Sequence, residues 1–165
     1  MKTIEKSVVE KLDHEITHVV KTGVVRKSVG ATVKISHSDF FKDKLMMIKV
    51  IREGVPYSLF TTIQAYTPFT DKDWSNFLDI STKSLLRYKQ STKNFKPIHS
   101  EKIIEMAEVT NIGLDVFGSM EKFKLWLETP NFSLGNIKPM DLLRDSYGKE
   151  LVISELTRIN YGILV

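Results

Sequence analysis

Residues 70–90 read TDKDWSNFLDISTKSLLRYKQ, and the fold turns on how this stretch divides. Thr70 suits an N-cap, with Asp71 and Asp73 in the first turn, where the positive end of a helix dipole favours carboxylates. Trp74, Phe77 and Leu78 follow at i, i+3 and i+4 and make one apolar face. Ser81 begins a new cap, and Thr82–Gln90 reads as a second short helix with Leu85 as its clearest core residue. Two short helices with an apolar residue, Ile80, inside the turn between them describe a helix-turn-helix.

Working toward the N-terminus, residues 56–66 (PYSLFTTIQAY) predict a short helix with Tyr57, Phe60 and Ile63 on its face. Residues 39–54 predict one helix, capped by Ser38 or Asp39 and ended by Gly54. Its stripe would be Phe41, Leu45, Ile48 and Ile51. Before it, Val8, Val9, Leu12 and Ile16 fit one helical face. The following VVKTGVVRKSVGATVKI is β-branched and broken by Gly23 and Gly30, and it reads equally as a hairpin or an arm.

Toward the C-terminus, His99–Phe117 predicts a longer helix closed by Gly118. Ser119 then caps MEKFKLWLE, whose Phe123, Trp126 and Leu127 share a face. Pro130 and Asn131 stop it, and NFSLGNIKP reads as a loop held by Phe132, Leu134 and Ile137. Pro139 opens a short helix, PMDLLRD. Tyr147–Tyr161 is the last helix, with Leu151, Val152, Leu156 and Ile159 facing inward, and Gly162 ends it. The fold class read from these signals is all-α.

Composition narrows the function. The chain has 165 residues and no cysteine, so no disulfide framework or thiolate metal site is available. His14 and His18 share i, i+4 spacing, but two ligands do not close a metal site, and a solvated helix face explains them. No apolar run is long enough to span a membrane and no signal-peptide pattern opens the chain, so the expected location is cytoplasmic. No GxSxG, P-loop or GxGxxG is found and the carboxylates are dispersed, so no enzyme activity, metal or cofactor is expected.

Charge is polarised. Residues 1–100 carry 17 Lys/Arg against 10 Asp/Glu, whereas 101–165 carry 7 against 10. A basic N-terminal part suits phosphates. With Thr82–Gln90 in a major groove, Thr82, Lys83, Ser84, Arg87 and Lys89 are the candidate DNA contacts. Arg87 can offer two donors to the O6 and N7 of guanine, and Lys93 and Lys96 extend the positive face. The plainer reading makes these ordinary solvated residues of a structural helix pair. The last 48 residues hold Phe123, Trp126, Phe132, Tyr147 and Tyr161. These form a small core, a partner surface, or both.

The segment from Gly118 to Gly162 resembles the toxin-binding domain of Xre/MbcA/ParS-type antitoxins. Gly118, Phe123, Trp126-Leu127, Pro130-Asn131, Leu134-Gly135, Pro139, Asp141-Leu142-Leu143, Gly148, Val152, Leu156, Arg158-Ile159 and Tyr161-Gly162 carry the resemblance. DISTKSLLRYKQ is similar to the Xre-type helix-turn-helix through Ile80-Ser81, Leu85 and Arg87, with Tyr88 where a second arginine is common. IHSEKIIEMAEV is similar to the family's linking helix. The resemblance covers about residues 55–165 and says little about 1–38, so the expected division is an N-terminal extension over 1–38, a DNA-binding helix-turn-helix domain over 39–117 and a toxin-binding domain over 118–165. The resemblance also implies a type II antitoxin, homodimeric, that covers the active site of a cognate RES-domain toxin acting on NAD and represses its own operon at operator DNA. The toxin contacts so implied are Trp126, Asn131, Arg158, Tyr161, Gly162 and Val165. A helix-turn-helix regulator without a toxin is the alternative.

Overall fold

The computed structural model describes residues 6–23 and 33–162. Among them the chain forms ten α-helices and no strand. They fall into two compact units that divide at Ala107/Glu108.

The first unit holds α1 (Lys6–Thr22), α2 (His37–Lys42), α3 (Lys44–Glu53), α4 (Tyr57–Tyr66), α5 (Asp71–Leu78), α6 (Thr82–Gln90) and the start of α7 (Pro97–Phe117). Helix α1 buries Leu12, Ile16, Val19 and Val20 and packs on α4, with α2 and α3 beside it. Polar ties fix the entry into α2 against α1. Thr17 Oγ1 accepts from Ile35 N at 2.9 Å, and Asp13 Oδ1 accepts from His37 N and faces His37 Nδ1, both at 2.7 Å. Of the stretch that reads as hairpin or arm, Val19–Thr22 belong to α1, and residues 24–32 lie outside the described residues.

The single helix expected over 39–54 is two. Asp43 leaves the helical conformation at φ −99°, ψ 94° and its carboxylate accepts from Met46 N at 3.0 Å, ending α2 and capping α3. The break resets the phase of the apolar stripe. Phe40, Phe41, Met47 and Val50 are buried, while Leu45 and Ile48, expected inward, face solvent. Gly54 ends α3 at φ +89°, and a Cβ there would also crowd the Phe95 carbonyl. The close approach is stitched by Phe95 N donating to Val55 O at 2.8 Å. Val55 N donates to Ser100 Oγ, also at 2.8 Å, inside the core.

The helix-turn-helix reading holds. Thr70 and Asp73 form a reciprocal capping box on α5, and Ser81 caps α6. Between them Asp79 takes the left-handed conformation, which aspartate tolerates, and Ile80 N donates to Ser75 O at 3.2 Å. Trp74 is fully buried and meets the rings of Phe60, Phe69 and Phe77 edge-on, the arrangement that aromatic quadrupoles favour. Tyr88 lies flat on Phe95 at 4.1 Å, so the residue that replaces a second arginine is used in packing.

The second unit holds the rest of α7, α8 (Met120–Glu128), a 3-10 turn (Phe132–Leu134), α9 (Pro139–Leu142) and α10 (Ser146–Asn160). Helix α7 begins at Pro97, two residues before the expected start, because proline suits the first helical turn. The core of the unit is Phe123, Leu127, Leu134, Leu143, Val152 and Leu156. Gly148 on α10 lies against the Leu142 carbonyl with no room for a Cβ. Two expectations are corrected here. The 131–138 loop is anchored by Leu134 alone of the three expected residues, since Phe132 and Ile137 are exposed. Backbone bonds close the loop instead, with Asn131 N donating to Ile137 O and Asn136 N to Asn131 O. Leu151 faces solvent and Ile159 is half-buried, because α10 turns Gly148, Val152, Glu155 and Leu156 inward.

Candidate functional site

Two surfaces carry the sequence-predicted site residues, one in each unit. The first is α6. Its core side is Leu85, with Ser84 and Tyr88 half-buried, and Thr82, Lys83, Leu86, Arg87, Lys89 and Gln90 are exposed. Four of the five expected DNA contacts therefore point away from the core. The fifth, Ser84, is engaged in the cap, its hydroxyl accepting from Ser81 Oγ at 3.0 Å. Lys93 and Lys96 are exposed just beyond. This is a short, cationic helix face with no acidic residue on it. Leu86, at its centre, was not among the expected contacts.

The second surface is α10 with the 3-10 turn. Tyr147, Leu151, Ser154, Arg158 and Tyr161 recur at intervals of four, three, four and three, so they share one face. Tyr147, Leu151 and Tyr161 are exposed there. Arg158 donates to Ser133 Oγ at 3.0 Å, which brings the turn with the exposed Phe132 beside the C-terminal half of this stripe. Three aromatic rings that cannot enter a core this small thus stand in solvent, at 79% (Phe132), 83% (Tyr147) and 76% (Tyr161) exposure.

A polar knot supports the stripe from below. Glu155 is buried, its Oε2 accepting from Arg158 Nε at 2.8 Å and its Oε1 from Asn131 Nδ2 at 3.4 Å. Asn131 Oδ1 in turn accepts from Ser133 N at 2.8 Å and caps the 3-10 turn. Of the expected toxin contacts, Asn131 and Arg158 are thus brought together as framework around Glu155. Trp126 is half-buried, with its ring over Phe117 and near Phe123, well apart in sequence from the stripe. Tyr161 and Gly162 are exposed at the end of α10, and Val165 lies outside the described residues. Phe132 and Tyr147 lie outside the expected toxin contacts yet stand exposed at this face, and Leu151, expected inward, is exposed on it. The seven-residue recurrence of 147, 151, 154, 158 and 161 is the signal that marks the face.

The Arg158 guanidinium bonded to Glu155 holds its carboxyl below its ordinary value of 4.5, against the opposing push of burial. The same contact raises the guanidinium. A carboxyl whose folded-state value is depressed binds protons more readily in the unfolded chain. Its stabilising contribution is present above pH 4.5 and is lost as pH falls through the lower folded value. Acidification below this point is expected to lower the melting temperature of the second unit. Glu155→Gln should show a smaller loss over the same interval, which thermal unfolding followed at a series of pH values would measure.

Among the described residues no group of three or more His, Asp or Glu gathers as a metal site, and no helix is long and apolar enough to cross a membrane.

Comparison with known proteins agrees with this arrangement. Residues 46–108 match the antitoxin Xre-like helix-turn-helix domain, and residues 113–162 match the antitoxin Xre/MbcA/ParS C-terminal toxin-binding domain. The antitoxin Xre of Yersinia enterocolitica is 24% identical over 119 residues, spanning 72% of this chain and 80% of that protein. A chain of the crystal structure of the M. tuberculosis MbcT-MbcA toxin-antitoxin complex shares the fold. It aligns with a TM-score of 0.53 at 22% identity, over 64% of this chain and 94% of that one. With an Xre-like helix-turn-helix domain followed by an Xre/MbcA/ParS C-terminal domain, the chain belongs to the Xre/MbcA/ParS family of antitoxins.

Proposed function

We propose that this antitoxin neutralises a cognate RES-type toxin that consumes NAD, by laying the exposed face of α10 and the chain's C-terminal end over the toxin's active site. The observation that carries the reading is the solvent-exposed row Tyr147, Leu151 and Tyr161, with Phe132 beside it, inside the segment matched as toxin-binding. Aromatic side chains on a rigid helix bury much area for little lost rotamer freedom, which suits them to anchor an interface. The surrounding segment is net acidic, and a pocket built for an anionic dinucleotide is complementary to it. Tyr161 and Gly162 end the helix and would lie nearest the blocked site together with Val165. Arg158 and Asn131 set the shape of the face, and Trp126 would add a contact from α8. In the cell the protein would act in the cytoplasm as a homodimer.

The test is co-expression with the adjacent reading frame. The proposal expects that frame to kill when expressed alone, to co-purify with this chain, and to lose NAD turnover when bound. A neighbour that is harmless, or that still consumes NAD within the complex, would remove it.

The cationic outward face of α6 favours a second role alongside the first, repression of the chain's own operon. The functional division would then be an N-terminal extension over 1–38, a DNA-binding domain over 39–117 and a toxin-binding domain over 118–165. Arg87 is exposed and carries the bidentate geometry that suits guanine. Arg87→Ala is expected to weaken operator binding by roughly 1–3 kcal/mol while leaving random-sequence binding almost unchanged. Titration of both duplexes at one fixed salt concentration would measure this. Equal losses on the two would reduce Arg87 to a phosphate contact. A regulator with no toxin at all is separated from this reading by whether the neighbouring frame kills.

A further inference from the structure

Leu86 lies on the outward side of α6. Leu85 marks the core direction, with Ser84 and Tyr88 half-buried to one side of it. A step of about 100° per residue then places Leu86, with Gln90 and Lys83, closest to the opposite direction. Every other outward residue of the helix is polar: Thr82, Lys83, Arg87, Lys89 and Gln90. The unit gives no internal reason for the leucine. It is 59% exposed, and Leu85 beside it already serves the core. Helix propensity gives none either, since alanine, lysine or glutamine would serve as well.

Exposed cations ring this apolar centre, with Lys83 one turn back, Arg87 adjacent and Lys89 ahead. An apolar spot inside a cationic rim is unsuited to another basic chain and matches a polyanion that displays a methyl group. The major groove of DNA has one such group, the 5-methyl of thymine. Cytosine shows an amino donor instead, and the minor groove shows no methyl.

We propose that Leu86 reads a thymine 5-methyl group in the operator, between the polar contacts of Lys83 and Arg87. The proposal rests on the DNA-binding reading of α6 given above and adds a base preference to it. Burying one methyl corresponds to about a fourfold change in affinity.

The experiment selects binding sites from random duplex DNA with the full-length chain. Each thymine of the selected site is then replaced in turn by deoxyuridine, which differs only in lacking the methyl, and affinities are measured at one salt concentration. The unmodified chain should lose about fourfold at one thymine per half-site. Leu86→Ala, which should melt like the unmodified chain because the residue is outside the core, should bind the natural site about fourfold more weakly and show no further loss at that uracil. If every thymine tolerates the change, or if Leu86→Ala remains as sensitive to the missing methyl, the role of Leu86 is overturned while DNA binding stands. If selection returns no duplex bound above random DNA, the DNA-reading role of α6 fails and Leu86 fails with it.

Discussion

Replacing Gly148 by alanine is expected to remove a large share of the second unit's stability while leaving the first intact. Gly148 sits in the first turn of α10, where its amide donates to the capping carboxylate of Asp145 at 2.8 Å. A Cβ at this position would overlap the carbonyl oxygen of Leu142, and the carbon and Cα of the same residue stand directly behind it. Backbone cannot swing aside as a side chain can, so α10 would have to lift away from α9. Overpacking of this kind typically costs about 1–3 kcal/mol, and more where the obstacle is rigid. A unit of this size has on the order of 3–8 kcal/mol in total. The loss should appear as an early thermal transition, with the helix-turn-helix unit melting at its former temperature. A single, unshifted transition would show that α9 can yield, and would contradict the tight approach.

The second large effect belongs to the exposed rings. Phe132→Ala and Tyr147→Ala should each weaken toxin binding by about 2 kcal/mol or more, the range of interface anchors. That is roughly thirtyfold in dissociation constant for each. Neither residue contributes to the core, so the melting temperature should hardly move. Leu125→Ala is the control, because Leu125 is exposed on α8 and does not belong to the α10 stripe. It should change binding by less than about 0.5 kcal/mol. Calorimetric titration of the purified toxin with each variant reads all three. Undiminished binding by both ring variants would mean that the toxin is held elsewhere on the chain.

These two expectations differ in how far they were legible from the chain. The caps at Thr70, Ser81 and Ser119, and the stops at Gly54, Gly118 and Gly162, are local features. Each depends on a side chain reaching an amide three residues on, or on a glycine tolerating positive φ, so reading them needs only neighbouring residues. The helix-turn-helix and the end of nearly every later helix followed from them. The family resemblance was legible for a similar reason, since its landmarks are spaced by turns and caps.

The buried faces were less legible. In FFKDKLMMIKVIRE, apolar residues lie on more than one side of the helix. Which side is inward depends on Asp43 breaking the helix and on α1 and α4 packing against it, so Met47 and Val50 are chosen and Leu45 and Ile48 are left out. On α10, Leu151 and Val152 are neighbours of similar hydrophobicity. The approach of Gly148 to Leu142 sets the rotation that buries one and exposes the other.

By itself, then, the sequence determined an all-helical fold class, where most helices from α4 onward begin and end, and the antitoxin family to which the chain belongs, because those depend on contacts a few residues long. Which apolar side chains became core and which were left as surface was decided only by the tertiary structure. Long-range packing has room for one stripe of each helix. Leu45 and Ile48 on α3, Leu86 on α6, and Phe132, Tyr147 and Leu151 around α10 are among the residues it leaves at the surface.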